Sequence, residues 1–441
     1  MVGPTGGADI TTGMITADVL NEFGLDVNPN QDPTGQAQPA TYVAPAPEDG
    51  SVVAQALLRA WRGDPLTVLA SGPGCGKTTA LVKIIANLVM RAGLHIVVAT
   101  PTRAQAFSIA TALYREIPKG YFTLAVTKVA PGVDLPRDVL DAKLDASRAG
   151  IGRVEVRTLS SCESTPPDCD LMAVDEGYQA TFASLTTAAA NARQLLVVGD
   201  SGQIGPVVTV NTAPFTRWGV DPHVRAPEVL LHRRHQKPLT MGTSYRLGPD
   251  SVRVVAPLYG FPLTSGRPHR HLATPVGETL PEVAHVDCGR VTSPDDDTLL
   301  TAAATRALAL TATSRFEATT GATTALTQQN VAVVVSRNTQ RTFVRSLLDS
   351  MGSPHVVVDT ADRLQGGQWT AVVAVDPLAG ASDITDHAAS AGRLCVMVSR
   401  HTTHLTWVHD NSWPSLLSQA GYEQRAGGVQ VRNALVASPD V

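Results

Sequence analysis

The chain has 441 residues, room for two or three domains of ordinary size. With 43% hydrophobic and 17% charged residues it is not a chain disordered throughout, and a net charge of −4 argues against a dedicated, strongly basic nucleic-acid module. No apolar run reaches the ~18 residues of a membrane span, no basic-then-apolar start marks secretion, and the five cysteines fall at no metal-ligand spacing, so reduced thiols, a cytoplasmic location and no membrane partner are expected.

Residues 1–48 are rich in Pro, Gly, Thr, Gln and Ala, with turn material from Asn28 to Gly35, and are expected to form a flexible N-terminal segment. From Ser51 the texture changes: Val52, Val53, Ala56, Leu57, Leu58 and Trp61 fall at helical spacing. Short apolar runs follow at 66–69, 96–99, 171–174, 195–198, 331–335, 371–375 and 395–398, alternating with helical patterns. They predict an α/β fold of parallel sheets, with chemistry at the carboxyl ends of the strands. The break is expected near 236. A first domain would span 49–236 with a small insertion at 103–155, a second 237–415 with an irregular insertion at 250–330, and a C-terminal tail 416–441.

The run ending at Leu69 leads into Ser71-Gly72-Pro73-Gly74-Cys75-Gly76-Lys77-Thr78-Thr79 and then an apolar helix. Glycines let successive N–H groups turn toward a phosphate, and the helix N-terminus adds partial positive charge. Gly72, Gly74, Cys75, Gly76, Lys77, Thr78 and Thr79 are therefore expected to hold the phosphates of ATP, with Lys77 on the β- and γ-phosphates and Thr78 on Mg²⁺. Ser71 stands where the strict pattern has Gly. Further on, Asp175-Glu176 ends a buried strand; Asp175 is expected to hold Mg²⁺ and Glu176 to polarise the attacking water.

The order of blocks resembles superfamily 1 helicases, in the branch of the nonsense-mediated-decay helicase and the helicases of alpha-like RNA viruses. The likeness spans roughly residues 51–410. Thr100–Gln105 looks like motif Ia and Val156–Ser161 like the next backbone-contacting block. Gly199–Gln203 resembles motif III, Thr243–Arg246 motif IV, Val358–Gln368 motif V and Leu394–His401 motif VI. The resemblance implies two RecA-like P-loop NTPase domains with ATP and Mg²⁺ in the cleft between them. It implies that Gln203 couples the γ-phosphate to the nucleic acid, that Arg246 and Arg400 face that phosphate, and that Tyr245 and Gln55 lie against the adenine. Gly366 and Gln368 are expected on the nucleotide side of motif V, although Gln368 stands where the family carries Glu. Thr102, Arg103, Thr158 and Thr360 are expected on the backbone of single-stranded nucleic acid.

Plainer readings stand beside these. Gln203 could cap a turn, Arg246 and Arg400 could form surface salt bridges, and the three threonines could cap helices. The basic clusters 232–237 and 267–271 read as solvated surface. Taken together, the motifs predict a helicase or translocase on single-stranded nucleic acid, in the company of replication or recombination proteins. DNA is slightly favoured, through the arginine-over-lysine bias of a GC-rich genome. The alternatives are a remodelling ATPase that does not unwind and an ATP-gated binding or packaging adaptor.

Overall fold

The computed structural model describes residues 47–117, 122–124, 152–206, 208, 211–212, 214, 221–418 and 427–441. The expected flexible segment 1–48 lies outside these except for its last two residues, as does most of the expected insertion at 103–155.

The first lobe is a seven-stranded parallel sheet of β1 (Leu66–Ser71), β2 (His95–Thr100), β3 (Phe122–Leu124), β4 (Arg153–Thr158), β5 (Cys169–Val174), β6 (Ala192–Asp200) and β7 (Leu239–Met241), in the order β3-β4-β2-β5-β6-β1-β7. Its central strands are Val/Leu/Ile/Ala runs buried on both faces, as parallel strands covered by helices must be. Helix α1 (Val52–Trp61) is capped by the Ser51 hydroxyl, which accepts from the Ala54 N–H. Helix α2 (Lys77–Ala92) presses Leu81, Ile84, Ile85 and Leu88 onto the sheet and stops at Gly93 in the left-handed region. Helix α3 (Arg103–Glu116) covers β2 and β4. The stretch 103–155 is therefore regular at both ends.

The chain stays in this sheet through β7, which pairs with β1 beyond the expected break at 236. Strand β8 (Thr243–Ser244) then pairs with β9 (Thr264–Ser265) in a short parallel ladder. The second lobe is a five-stranded parallel sheet of β12 (Val283–Asp287), β15 (Val331–Val335), β16 (Val357–Thr360), β17 (Trp369–Val375) and β18 (His401–His409), in the order β12-β18-β17-β15-β16. Between β9 and β15 a small antiparallel sheet forms from β10 (Arg270–Ala273), β11 (Thr279–Leu280), β13 (Ser314–Glu317) and β14 (Ala322–Ala325). The segment 250–330 is thus not an irregular insertion. Helix α5 (Pro249–Val255), β12 and helix α6 (Asp297–Thr311) build the lobe's core, and only the small sheet is added to it. Helix α4 (Leu159–Ser164), in the first lobe, and α7 (Asn338–Ser350), in the second, each follow a sheet strand. Both sheets belong to one compact unit.

Two further corrections concern the end of the chain. The run 395–398, expected as a strand, lies in helix α8 (Ala391–Val398), capped by the Ser390 hydroxyl accepting from the Arg393 N–H. A short run buried on every side fits either state. The strand is the next segment, β18, whose His and Thr residues conceal that it is almost wholly buried. The expected tail carries α9 (Gly428–Val436), which buries Val431 and Leu435 against the second lobe. Its Arg432, 1% exposed, donates from Nη2 to Asp376 Oδ1 at 2.9 Å and from Nε to Oδ2 at 3.0 Å. A fork–carboxylate pair of this kind locks the helix to the end of β17.

Candidate functional site

Strand β1 delivers the loop 72–76 to the N-terminus of α2. Gly74 and Gly76 have φ of 72° and 78°, a region glycine enters without strain. Gly76 is the N-cap residue of α2, so the loop closes over unpaired N–H groups at a helix start, a ready anion site. Gly74 is needed for space as well: a Cβ there would lie 2.3 Å from Cβ of Arg246. Ser71, fully buried, donates its hydroxyl to the Gly199 carbonyl at 3.1 Å, which ties β1 to β6 and explains a small polar residue at the loop's first position. Thr78 and Thr79 are exposed at the head of the helix, while the Cys75 side chain is buried, with its thiol pushed up to about 11 mainly by that burial. Cys75 can offer the site only its backbone.

Asp175 follows β5 and its N–H donates to the Ala99 carbonyl at 2.9 Å. Its carboxyl is pushed up to about 6 by burial and then by the Glu176 charge, and Oδ1 has no hydrogen-bond partner among the described residues. An unpartnered buried carboxylate oxygen beside the phosphate-loop Lys77 suits a hard divalent cation such as Mg²⁺. Glu176 has φ of 52°, unusual for a residue with a Cβ, and its Oε1 stands 3.3 Å from Lys77 Nζ. Burial disfavours the Lys77 charge, but Glu176, Asp200 and Asp175 outweigh it and raise its pKa.

The second lobe closes on this loop. The Tyr245 N–H donates to the Gly74 carbonyl at 2.9 Å and the Ser244 hydroxyl to the Pro73 carbonyl at 2.7 Å. Arg246 Nη1 reaches the Ser399 carbonyl at 3.4 Å. Its pKa falls to about 10, through burial first and the neighbouring Arg400 second. Arg400 is 2% exposed; Nη1 donates to the Gly367 carbonyl at 3.5 Å, and Nε and Nη2 have no partner among the described residues. Its charge also opposes that of Lys77. Lys77, Arg246 and Arg400 therefore crowd positive charge at one point, with guanidinium donors to spare. Glu176 and Asp200 offset part of that charge, and the unpartnered guanidinium donors suit a further anion. Among the described residues neither arginine makes a salt bridge with a carboxylate, and Arg400 is buried. Gln203 is buried, its Nε2 donating to Asp200 Oδ2 at 2.6 Å.

The other expected residues lie farther out. Gln55 is exposed on α1 and donates to the Gly50 carbonyl. Tyr245 is exposed beside the loop, whereas Gly366, with φ of 89°, and Gln368 are exposed on the turn before β17. The hydroxyls of Thr102 and Thr158 accept from the N–H groups of Gln105 and Ser161, so both cap helices, α3 and α4. Arg103 is exposed next to Thr102. Thr360 lines an open groove of about 370 Å³ with Ser336, Arg337, Asn338, Asp362, Thr385 and His387, at the carboxyl ends of β15 and β16. The 267–271 cluster is not uniformly solvated: the Arg267 side chain is only 4% exposed, with Nη2 3.4 Å from Glu282 Oε2.

Three residues at the site were not expected. Asp200 ends β6 with Oδ2 3.9 Å from Lys77; its signal was its place inside the block Gly199–Gln203, at a strand end like that of Asp175. Arg225 clamps the same block, donating to the carbonyls of Ser201 at 2.8 Å and Gln203 at 2.6 Å. Tyr259 donates to Asp200 Oδ1 at 2.7 Å. The last two lie in no motif and carry no local signal.

Residues 54–209 match the AAA domain family. Among solved structures the chain is similar to the PRRSV helicase at 17% identity, covering 83% of this chain and 56% of that one with a TM-score of 0.43. It is similar to the arterivirus nonstructural protein 10 helicase at 18% identity, covering 81% and 62% with a TM-score of 0.45. The arterivirus protein in complex with DNA gives 18%, 83%, 66% and 0.44. The chain thus spans under two thirds of the length of these relatives. A comparison with curated proteins finds no match.

Proposed function

We propose that this chain, an AAA-domain protein carrying the ordered motifs of a superfamily 1 helicase, is a nucleic-acid-stimulated ATPase that moves along single-stranded nucleic acid in the cytoplasm, on DNA ahead of RNA. The observation that carries the reading is the meeting of Lys77, Asp175 and Glu176 from one lobe with Arg246 and Arg400 from the other. An acid pair at a strand end beside a phosphate loop suits hydrolysis; cations from a second lobe suit hydrolysis coupled to lobe movement.

In this reading the N–H groups of residues 72–78 and the Lys77 ammonium hold the phosphates. Thr78 and Asp175 would hold Mg²⁺, which when bound neutralises phosphate charge. Glu176 orients the attacking water and takes up its proton. Arg246 and Arg400 stabilise charge spreading over the transferred group, a task that suits a permanently charged fork. Gln203, held by Asp200, senses that group. Thr102, Arg103, Thr158 and the groove at Thr360 would follow the strand's backbone, the threonines through atoms left over from helix capping.

The test is ATP turnover with and without single-stranded DNA and RNA oligonucleotides across a salt series. We expect stimulation by a polynucleotide, and an apparent affinity that falls with salt by ~0.7 log units per phosphate contact per log unit of salt. Turnover that ignores every polynucleotide would sink the motor reading in favour of an ATP-gated adaptor.

A further inference from the structure

A buried hydrogen-bond chain joins the end of β6 to α8. Asp200, 2% exposed, accepts at Oδ1 from the Gly202 N–H at 3.0 Å and the Tyr259 hydroxyl at 2.7 Å, and at Oδ2 from Gln203 Nε2 at 2.6 Å. The Tyr259 hydroxyl also lies 3.2 Å from Cys395 Sγ. A carboxylate can only accept, so Tyr259 donates to Asp200 and its remaining lone pairs face the Cys395 thiol. Burial raises the pKa of the tyrosine well above its ordinary value and pushes the thiol up to about 12, so both stay protonated. Donation therefore runs one way, from Cys395 to Tyr259 to Asp200.

The chain is held in place sterically. A Cβ on Gly202 would come within 2.4 Å of the Tyr259 ring, and Phe261 packs edge-on to it with centroids 5.5 Å apart. On the far side, Cys395 sits in α8, the helix that runs up to Arg400. The same helix abuts the Gln203 backbone, since a Cβ on Gly392 would lie 2.8 Å from the Gln203 carbonyl oxygen.

We propose that Tyr259 is a positioning residue that couples Gln203, on the first lobe, to helix α8 of the second, which leads into Arg400, through Asp200 and Cys395. The inference rests on the ATPase reading and deepens it. Among the described residues the Tyr259 hydroxyl bonds to Asp200 and Cys395 and not to the phosphate loop, so it should affect turnover more than nucleotide binding.

The test is steady-state ATPase of Tyr259→Phe, which removes the hydroxyl and keeps the ring. We expect kcat to fall about 10-fold or more, as for loss of a hydrogen bond to a charged group, with KM for ATP changed less than about threefold. Cys395→Ser keeps a donor and should stay near wild type, while Cys395→Ala should share the defect. Gly202→Ala should reproduce it by displacing the ring. A Tyr259→Phe protein with wild-type kcat overturns the proposal. So does one in which kcat and KM worsen together with a lowered Tm, because that is the mark of a merely structural tyrosine. A wild-type protein without ATP turnover would sink the ATPase reading first, and this proposal with it.

Discussion

At the scale of single residues, Glu176 shows how the site was built. Its left-handed backbone costs on the order of 1 kcal/mol, which a loop residue free to relax would shed. It keeps the strain because β5 ends at Val174 and the chain must turn at once, placing the carboxylate against Lys77 and leaving Asp175 buried. Glu176→Gln preserves shape and removes the charge. Turnover should fall ~10²-fold or more while ATP binding persists, measured by steady-state rates and by a fluorescent nucleotide titration. Loss of binding with unchanged turnover per bound ATP would assign Glu176 another role. Lys77, Thr78, Asp175 and Glu176 were legible in the sequence because the phosphate loop and the acid pair are contiguous strings. Tyr259 and Arg225 were not, because their partners are distant in the chain and are set by the tertiary fold.

At the scale of elements, the sequence spoke clearly wherever a strand was aliphatic. The runs at 66–69, 96–99, 171–174, 195–198, 331–335 and 371–375 all lie in β-strands. It misled at 395–398 and was silent at β18, where polar residues are buried and some of them, His404 and Thr406 among them, pair with one another. His404 shows how. The Pro281 carbonyl can only accept, so Nδ1 carries the hydrogen at 2.6 Å; Arg306 can only donate, so Nε2 is bare at 3.4 Å and accepts from the Thr406 hydroxyl at 2.8 Å. Protonation would set a second N–H against the guanidinium. Burial, chiefly, holds the His404 pKa down to about 4, from an ordinary value of 6.5. Above pH 6.5 both folded and unfolded forms are neutral and the contribution to stability is complete. Below it the unfolded chain takes up a proton that the folded one refuses. Stability should fall as pH drops from 6.5 toward 4, by on the order of 3 kcal/mol if His404 acts alone. His401, also depressed by burial, adds to the same trend. Urea unfolding at pH 7 and pH 5 checks it: a His404→Gln protein should lose less stability across that interval. Equal stability at the two pH values for the wild type would show that β18 admits the proton.

At the scale of the whole molecule, two parallel sheets are joined so that the phosphate loop of one meets the turn before β18 of the other. The α/β alternation made two such sheets legible; Arg400 was expected at the cleft through the motif resemblance alone, because it sits between α8 and β18 rather than at a strand's carboxyl end. That position lets it reach the cleft with Nε and Nη2 unpartnered among the described residues. The most direct test of a two-lobed ATPase is the turnover of folded Arg400→Lys at saturating ATP and single-stranded nucleic acid. Lysine keeps the charge and lacks the fork. Turnover should fall at least ~10²-fold with ATP binding nearly unchanged, the cautious end of what an arginine at a transferred phosphoryl group contributes. A rate within about twofold of wild type, the scale of a surface salt bridge, would contradict it.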